Sequence, residues 1–145
     1  MNFDSGEARR RFAAARFAYL ATADADGRPH IVPITFTVTG DRVLIAIDSK
    51  PKRSTDLKRL RNITENPSVA VLADQHGEDW SALWWVRGDG AAHILEDEQD
   101  RSAAIELLCA RYEQYTADAP QGPVIEVIVN RWSGWAFTDD ARLLA

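Results

Sequence analysis

Apolar and polar positions alternate along most of this chain, and the alternation changes period at a few sharply marked places. DSGEARRRFAAARFA at the start reads as a short helix, with Asp4 or Ser5 as cap, Glu7 in the first turn and alanines to carry it on. RFAYLATA (16–23) then takes strand character and meets DADG at 24–27, a tight turn with Gly27 placed for a left-handed conformation. RPHIVPITFTV (28–38) returns as a second strand. Pro29 and Pro33 each remove a ladder donor, which predicts an edge or a bulge there. TGD at 39–41 makes the next hairpin and RVLIAID (42–48) the third strand.

The period then lengthens. Pro51 ends the strand, and Ser54 or Thr55 caps a helix through about Thr64 in which Leu57, Leu60 and Ile63 recur every three residues. NPSVAVLAD (66–74) supplies a turn and a fourth strand, followed by the polar loop QHGED at 75–79. WSALWWVRGDGAAHILED is expected to form a strand pair turning at GDG, with Trp80, Ala82 and Trp84 on one face and Ser81, Leu83, Trp85 and Arg87 on the other. EDEQDRSAAIELLCARYEQY is amphipathic, with Ala104, Ile105, Leu108, Cys109 and Tyr112 on one face. PVIEVIVNRWSGWAF (123–137) closes the chain as one or two strands. The expectation is a single domain over 1–145, mainly β with three helices, and six or seven antiparallel strands. Short turns and the absence of a βαβ rhythm favour a small barrel.

Charge sharpens this picture at one place. Lys50, Lys52, Arg53, Lys58, Arg59 and Arg61 crowd the third loop and its helix with Asp56 as the only acid, a balance of +5 in a chain whose formal charge is −5. The remainder therefore carries −10, which argues against bulk nucleic-acid affinity. A helix N-terminus already attracts anions. The hydroxyls of Ser54 and Thr55, with Lys52 and Arg53 before them and Lys58 and Arg59 one turn on, make a candidate phosphate site. A solvated charged helix is the bland alternative.

Other chemistry is sparse. Cys109 is the single cysteine, which excludes an internal disulfide and a CxxC site. His30, His76 and His93 lack metal-ligand spacing, and no Gly-x-Ser-x-Gly elbow or dinucleotide fingerprint occurs. The start MNFDSGEARRRF lacks a signal peptide's apolar run and no stretch reaches membrane-spanning length, so a cytoplasmic protein is expected. Without a nucleophile or metal set, an enzyme of this kind would draw its reactivity from a cofactor. Trp80, Trp84 and Trp85 suit a subunit interface or a ring-stacking wall.

The order of motifs resembles a known family. YLATADADGRPHIVPITFTV, VLIAIDSKPKRSTDLKRLRNITENPSVAVLAD, DWSALWWVRGDGAAHIL and RWSGWAF are similar to the pyridoxamine-phosphate-oxidase-like split β-barrels, over about residues 10 to 138. KPKRS and EDWSALWWVR point more narrowly to the actinobacterial branch of F420-dependent oxidoreductases. The resemblance implies a homodimer of FMN-binding-type split barrels with two cofactor sites at the subunit interface, a small-molecule substrate, and no nucleic-acid or membrane partner. It places His30, Ile31, Val32 and Pro33 near a flavin-like ring. Lys52, Arg53, Ser54 and Thr55, with Lys58 and Arg59, would surround its phosphate. Trp80, Trp84 and Trp85 fall on the partner's wall, with Arg131 a weaker candidate. Relatives often carry lysine where this chain has Arg59, and arginine grips a phosphate in a different geometry. The implied cofactor is the deazaflavin F420 and the implied reaction hydride transfer to an electron-poor acceptor. FMN in the same fold and a non-catalytic haem- or cofactor-binding protein are the alternatives.

Overall fold

A computed structural model describes residues 1–47 and 54–138, with side chains for 1–47 and 58–138. Helix α1 (Ser5–Ala14) leads into strands β1 (Ala18–Ala23), β2 (Pro29–Thr39) and β3 (Arg42–Ala46). Helix α2 (Ser54–Glu65) is inserted before β4 (Ser68–Gln75), a short 3-10 turn (Trp80–Ala82) and β5 (Trp84–Ile94). Helices α3 (Glu98–Arg111) and α4 (Glu113–Ala117) precede the closing strand β6 (Val124–Ala136). All strand pairs are antiparallel and close into a barrel in the order β1-β2-β3-β6-β5-β4.

The turns follow from their glycines. Gly27 and Gly40 take φ of +83° and +60°, the left-handed region that the two hairpins require. Asp4 is the cap of α1: its carboxylate accepts the Glu7 amide at 2.8 Å, and Glu7 in turn pairs with Arg10 and Arg11. Inward positions fill the barrel with Leu20, Val32, Ile34, Phe36, Val43, Ile45, Val71, Val86, Ile125 and Val127. Phe12 of α1 enters the same core, 4.8 Å from Phe36 and 5.5 Å from Trp132 between ring centroids. A smaller cluster of Leu44, Leu95, Ala104 and Val124 seats α3 on the outside of β3 and β6.

Three expectations change. The sequence GDG is not a turn: β5 runs through it as one strand, with a bulge between Asp89 and Gly90. Its glycines answer to crowding, since a Cβ on Gly90 would sit 2.1 Å from the Ile128 carbonyl oxygen and one on Gly88 would sit 3.0 Å from Trp132. Trp80 and Ala82 lie in the 3-10 turn and share no strand face with Trp84, whereas Trp84 inward and Trp85 outward match the expected alternation. The third helix is two, α3 and the five-residue α4, making four in all among the described residues. The 123–137 segment is one strand.

The prolines of β2 stand where the barrel opens. Residues 29–34 of β2 pair with β1, whereas β3 pairs only with 35–39 and ends at Ala46 opposite Thr35. The Phe36 N–H bonds away from β3, to the Tyr112 hydroxyl. Alternation therefore turns the N–H and C=O of Ile31, and the C=O of Pro33, toward the side that β3 has left. Among the described residues no strand pairs with that side of Pro33, so its missing N–H costs no ladder bond.

A cleft between the open half of β2 and two helices

Helix α2 is tied across one end of the barrel by a set of asparagine and glutamate contacts. The Asn62 side-chain amide donates to Thr22 Oγ1 at 3.0 Å with both groups buried, and Asn66 donates to the Asp24 carbonyl at 3.4 Å. Glu65 accepts the Ala25 amide at 3.3 Å, and Ile63 enters the barrel core. This explains the local sequence LRNITENP: its apolar and amide positions fix the helix to the β1–β2 hairpin. Arg59 is consequently buried at 7% exposure while its neighbour Lys58 stays exposed.

His30 lies on β2 opposite Thr22. Its Nδ1 is buried with no hydrogen-bond partner among the described residues. Burial, reinforced by the charges of Lys58 and Arg59, holds its pKa below the ordinary histidine value and so favours the neutral imidazole.

Beside this junction a cleft of about 600 Å³ opens, lined in part by Pro33, Ile34 and Thr35 of β2, Arg59 of α2, Tyr112 at the α3–α4 junction and Tyr115 of α4. Arg16 and Phe17 complete its wall from the α1–β1 junction. Its floor is tied together by hydroxyls: Thr35 Oγ1 and Tyr115 Oη are 2.8 Å apart, and Tyr112 Oη accepts the Phe36 amide at 2.9 Å. The cleft therefore combines a cation, apolar strand surface, backbone groups at an open edge and phenolic hydroxyls.

The sequence-predicted residues divide. Pro33 and Arg59 line this cleft, and His30 and Lys58 neighbour it electrostatically. Val32 points into the core, and Ile31 points outward at 63% exposure. Lys52 and Arg53 lie outside the described residues; Ser54 and Thr55 open α2, and their side chains are outside the description as well. The tryptophans are not gathered here within one chain. Trp84 pairs with Gln75 of β4, whereas Ala21, opposite Ile31, pairs with Ala70, a separation of about 17 Å along the strand. Trp84 is buried beside Arg11, Trp85 faces Arg87, and Trp80 is 60% exposed against Phe137. Arg131 is exposed opposite Asp89. His93 pairs with Glu126 on the outer surface, and no metal-binding cluster occurs among the described residues. Sequence reasoning missed Phe17, Thr35, Tyr112 and Tyr115. The one signal for the tyrosines was their position at the end of an amphipathic helix, which reads equally well as core packing.

The family of pyridoxamine 5′-phosphate oxidase matches residues 5–136. No protein of curated function matches. Among solved structures, an FAD-binding protein of Mesorhizobium loti is 22% identical, with 92% of this chain and 95% of that one covered and a TM-score of 0.69. The FAD-binding protein of Mycobacterium smegmatis is 21% identical over 93% and 96%, with a TM-score of 0.62. The haem storage protein HutZ of Vibrio cholerae is 16% identical over 92% and 95%, with a TM-score of 0.70. These likenesses describe a shared fold.

Proposed function

Because the chain belongs to the pyridoxamine 5′-phosphate oxidase family, we propose that the β2–α2 cleft is one half of a site for a phosphorylated flavin-type cofactor, and that the protein is an oxidoreductase using F420. The observation that carries this reading is the meeting of an open strand edge with the buried cation Arg59 at the wall of a 600 Å³ cleft. The residues fit such a group. A planar ring needs an apolar shelf and backbone donors and acceptors at its edge, which Pro33, Ile34 and the open side of Ile31 supply. A phosphate needs cations, and the anchored helix supplies the buried Arg59 with the exposed Lys58 beside it, Lys52, Arg53, Ser54 and Thr55 preceding them in sequence.

Such a cofactor, when bound, supplies two-electron hydride chemistry to an electron-poor small molecule. The chain's own part is to bind and orient. Neutral His30 presents an imidazole without adding to the positive charge of Lys58 and Arg59. Phe17 and the two tyrosines enclose the cleft and limit water. No residue is required as a nucleophile.

The preference for F420 over FMN rests on charge: a net +5 around α2 suits a longer anionic tail better than one compact phosphate. The homodimer belongs to the same reading. Phe17 just before β1, Tyr19 of β1 and Ile31 of β2 expose 78%, 40% and 63% of their surface, a face suited to a second copy. Cytoplasmic location is part of the proposal; among the described residues no helix is long and apolar enough to cross a membrane.

The test is parallel titration of the purified protein with F420 and FMN, followed by cofactor fluorescence. Tighter F420 binding supports the deazaflavin reductase, and tighter FMN binding moves the protein to flavin chemistry. Binding of neither, with a Soret band after haem addition, replaces both by a haem-binding protein.

A further inference from the structure

Three walls of the cleft meet at one side chain that belongs to none of the candidate sets. Arg111 is the last residue of α3. One amino group donates to the Phe36 carbonyl at 3.0 Å and the other to the Ala15 carbonyl. Its guanidinium carbon lies 4.5 Å from the Phe36 ring centroid and 5.5 Å from that of Tyr112.

The position of Phe36 explains why a side chain is needed there. Strand β1 begins at Ala18 opposite Ile34, so no β1 residue faces Phe36. Its amide is taken by the Tyr112 hydroxyl and its carbonyl by Arg111, two consecutive side chains standing in for a missing strand. Each atom that Arg111 holds lies next to a cleft wall in sequence. Ala15 precedes Arg16 and Phe17; Phe36 follows Pro33, Ile34 and Thr35; Tyr112 precedes Gln114 and Tyr115.

We propose that Arg111 is a positioning residue that sets the width of the cleft by clamping the α1–β1 junction, β2 and the α3–α4 junction to one planar group. The inference rests on reading the cleft as the cofactor site. Lysine keeps the charge but cannot hold two carbonyls in a fixed fork, so charge and geometry separate experimentally.

The experiment compares wild type, Arg111→Lys and Arg111→Met. Dissociation constants and visible absorption spectra are measured with FMN and with F420, and amide exchange is followed at Phe36. For whichever cofactor the wild type binds, Arg111→Met is expected to weaken binding about tenfold and to shift the bound absorption band, with Arg111→Lys intermediate. Exchange at Phe36 is expected to speed up while the amides of β4 and β5 keep wild-type protection. Arg111→Lys keeps the charge and the aliphatic stem, so it carries the test if the methionine variant does not fold: weaker binding with faster exchange at Phe36 supports the clamp, and wild-type affinity and spectrum overturn it. A purely structural arginine would lower stability and leave affinity and spectrum unchanged in the folded variants, and that result overturns the proposal. Wild type that binds neither cofactor defeats the cofactor reading and the clamp with it, whereas an unchanged Arg111→Met in a binding wild type defeats the clamp alone.

Discussion

Replacing Asn62 tests whether the anchoring of α2, and not its charge alone, makes the basic site. The side chain is 1% exposed and donates at 3.0 Å to Thr22, itself 4% exposed. Asn62→Ala removes one buried hydrogen bond and strands the Thr22 hydroxyl, a loss of about 1–3 kcal/mol, to which the vacated volume adds. With an unfolding entropy of about 2.1 cal/mol/K per residue, a loss of about 2 kcal/mol lowers the melting temperature by roughly 6–7 °C. Thr22→Val should cost a similar amount, because it strands the asparagine amide. The informative variant is the double one, Thr22→Val with Asn62→Ala, in which both polar groups vanish together. If the bond is what matters, the double variant is less destabilised than the two singles combined by about 1 kcal/mol or more. Chemical denaturation with far-UV circular dichroism reads all four proteins. Arg59 and Lys58 lie one turn before Asn62, so Asn62→Ala should also weaken cofactor binding under conditions where the variant is fully folded. Strictly additive stabilities would refute the bond's role, and unchanged affinity would refute its link to the site.

Other outcomes follow from single features of the structure. Lys58→Ala, at an exposed position, should weaken binding of a phosphorylated cofactor about tenfold with no change in melting temperature. Gly90→Ala places a methyl group 2.1 Å from a backbone oxygen, and should cost about 3 kcal/mol in thermal denaturation whatever ligand is present. If the protein forms the proposed dimer through this face, Ile31→Asp at the 63% exposed position should leave the fold intact and give a monomer in sedimentation where wild type gives a dimer. A persistent dimer would move the interface elsewhere, and a monomeric wild type would remove the dimer from the proposal. The pH dependence of His30 has a definite sign. Its folded pKa lies below the ordinary histidine value of 6.5, so as pH falls the unfolded chain takes up a proton first. The stability this group allows is complete above pH 6.5 and is lost as pH falls through the depressed folded value. His30→Asn should flatten the stability profile in that window. Glu7, Asp24, Asp41 and Asp79 are also depressed, from ordinary values of 4.5 and 3.8, and their contributions fall away only at lower pH.

What could be read from the sequence tracks how local the determining physics is. Period-two alternation and two glycine turns identify β1 to β3 as a meander, and the prolines mark the half of β2 that loses its partner. The GDG sequence misleads because glycine serves two purposes. At Gly27 it permits a positive φ, and at Gly90 it permits close backbone approach to β6, a strand more than thirty residues later. Trp80 misleads for the same kind of reason. The Asp79 carboxylate accepts the Ser81 amide at 3.0 Å and starts a 3-10 turn, so alternation does not apply until Trp84.

The cleft itself separates charge from shape. Its cation Arg59 is legible as a candidate because six cations crowd twelve residues in an acidic chain. Its phenolic wall is not legible, because Tyr112 and Tyr115 acquire meaning only through Phe36 and Thr35, 76 and 80 residues away. Arg111 is the extreme case, contacting Phe36 at a separation of 75 residues and Ala15 at 96. A basic segment can announce that an anion is bound, since that depends on net charge over one short stretch. On the proposed reading, the surface that meets the ring depends on how α3 returns to β2, so cofactor class would be set locally and ring selectivity by the long-range joint; variants at α2 and at Arg111 should separate the two. Loss of α2 charge should weaken phosphorylated cofactors generally. Loss of the Arg111 clamp should change the ratio of F420 to FMN affinity, measured in the same titrations; an unchanged ratio would return selectivity to the anion tail alone.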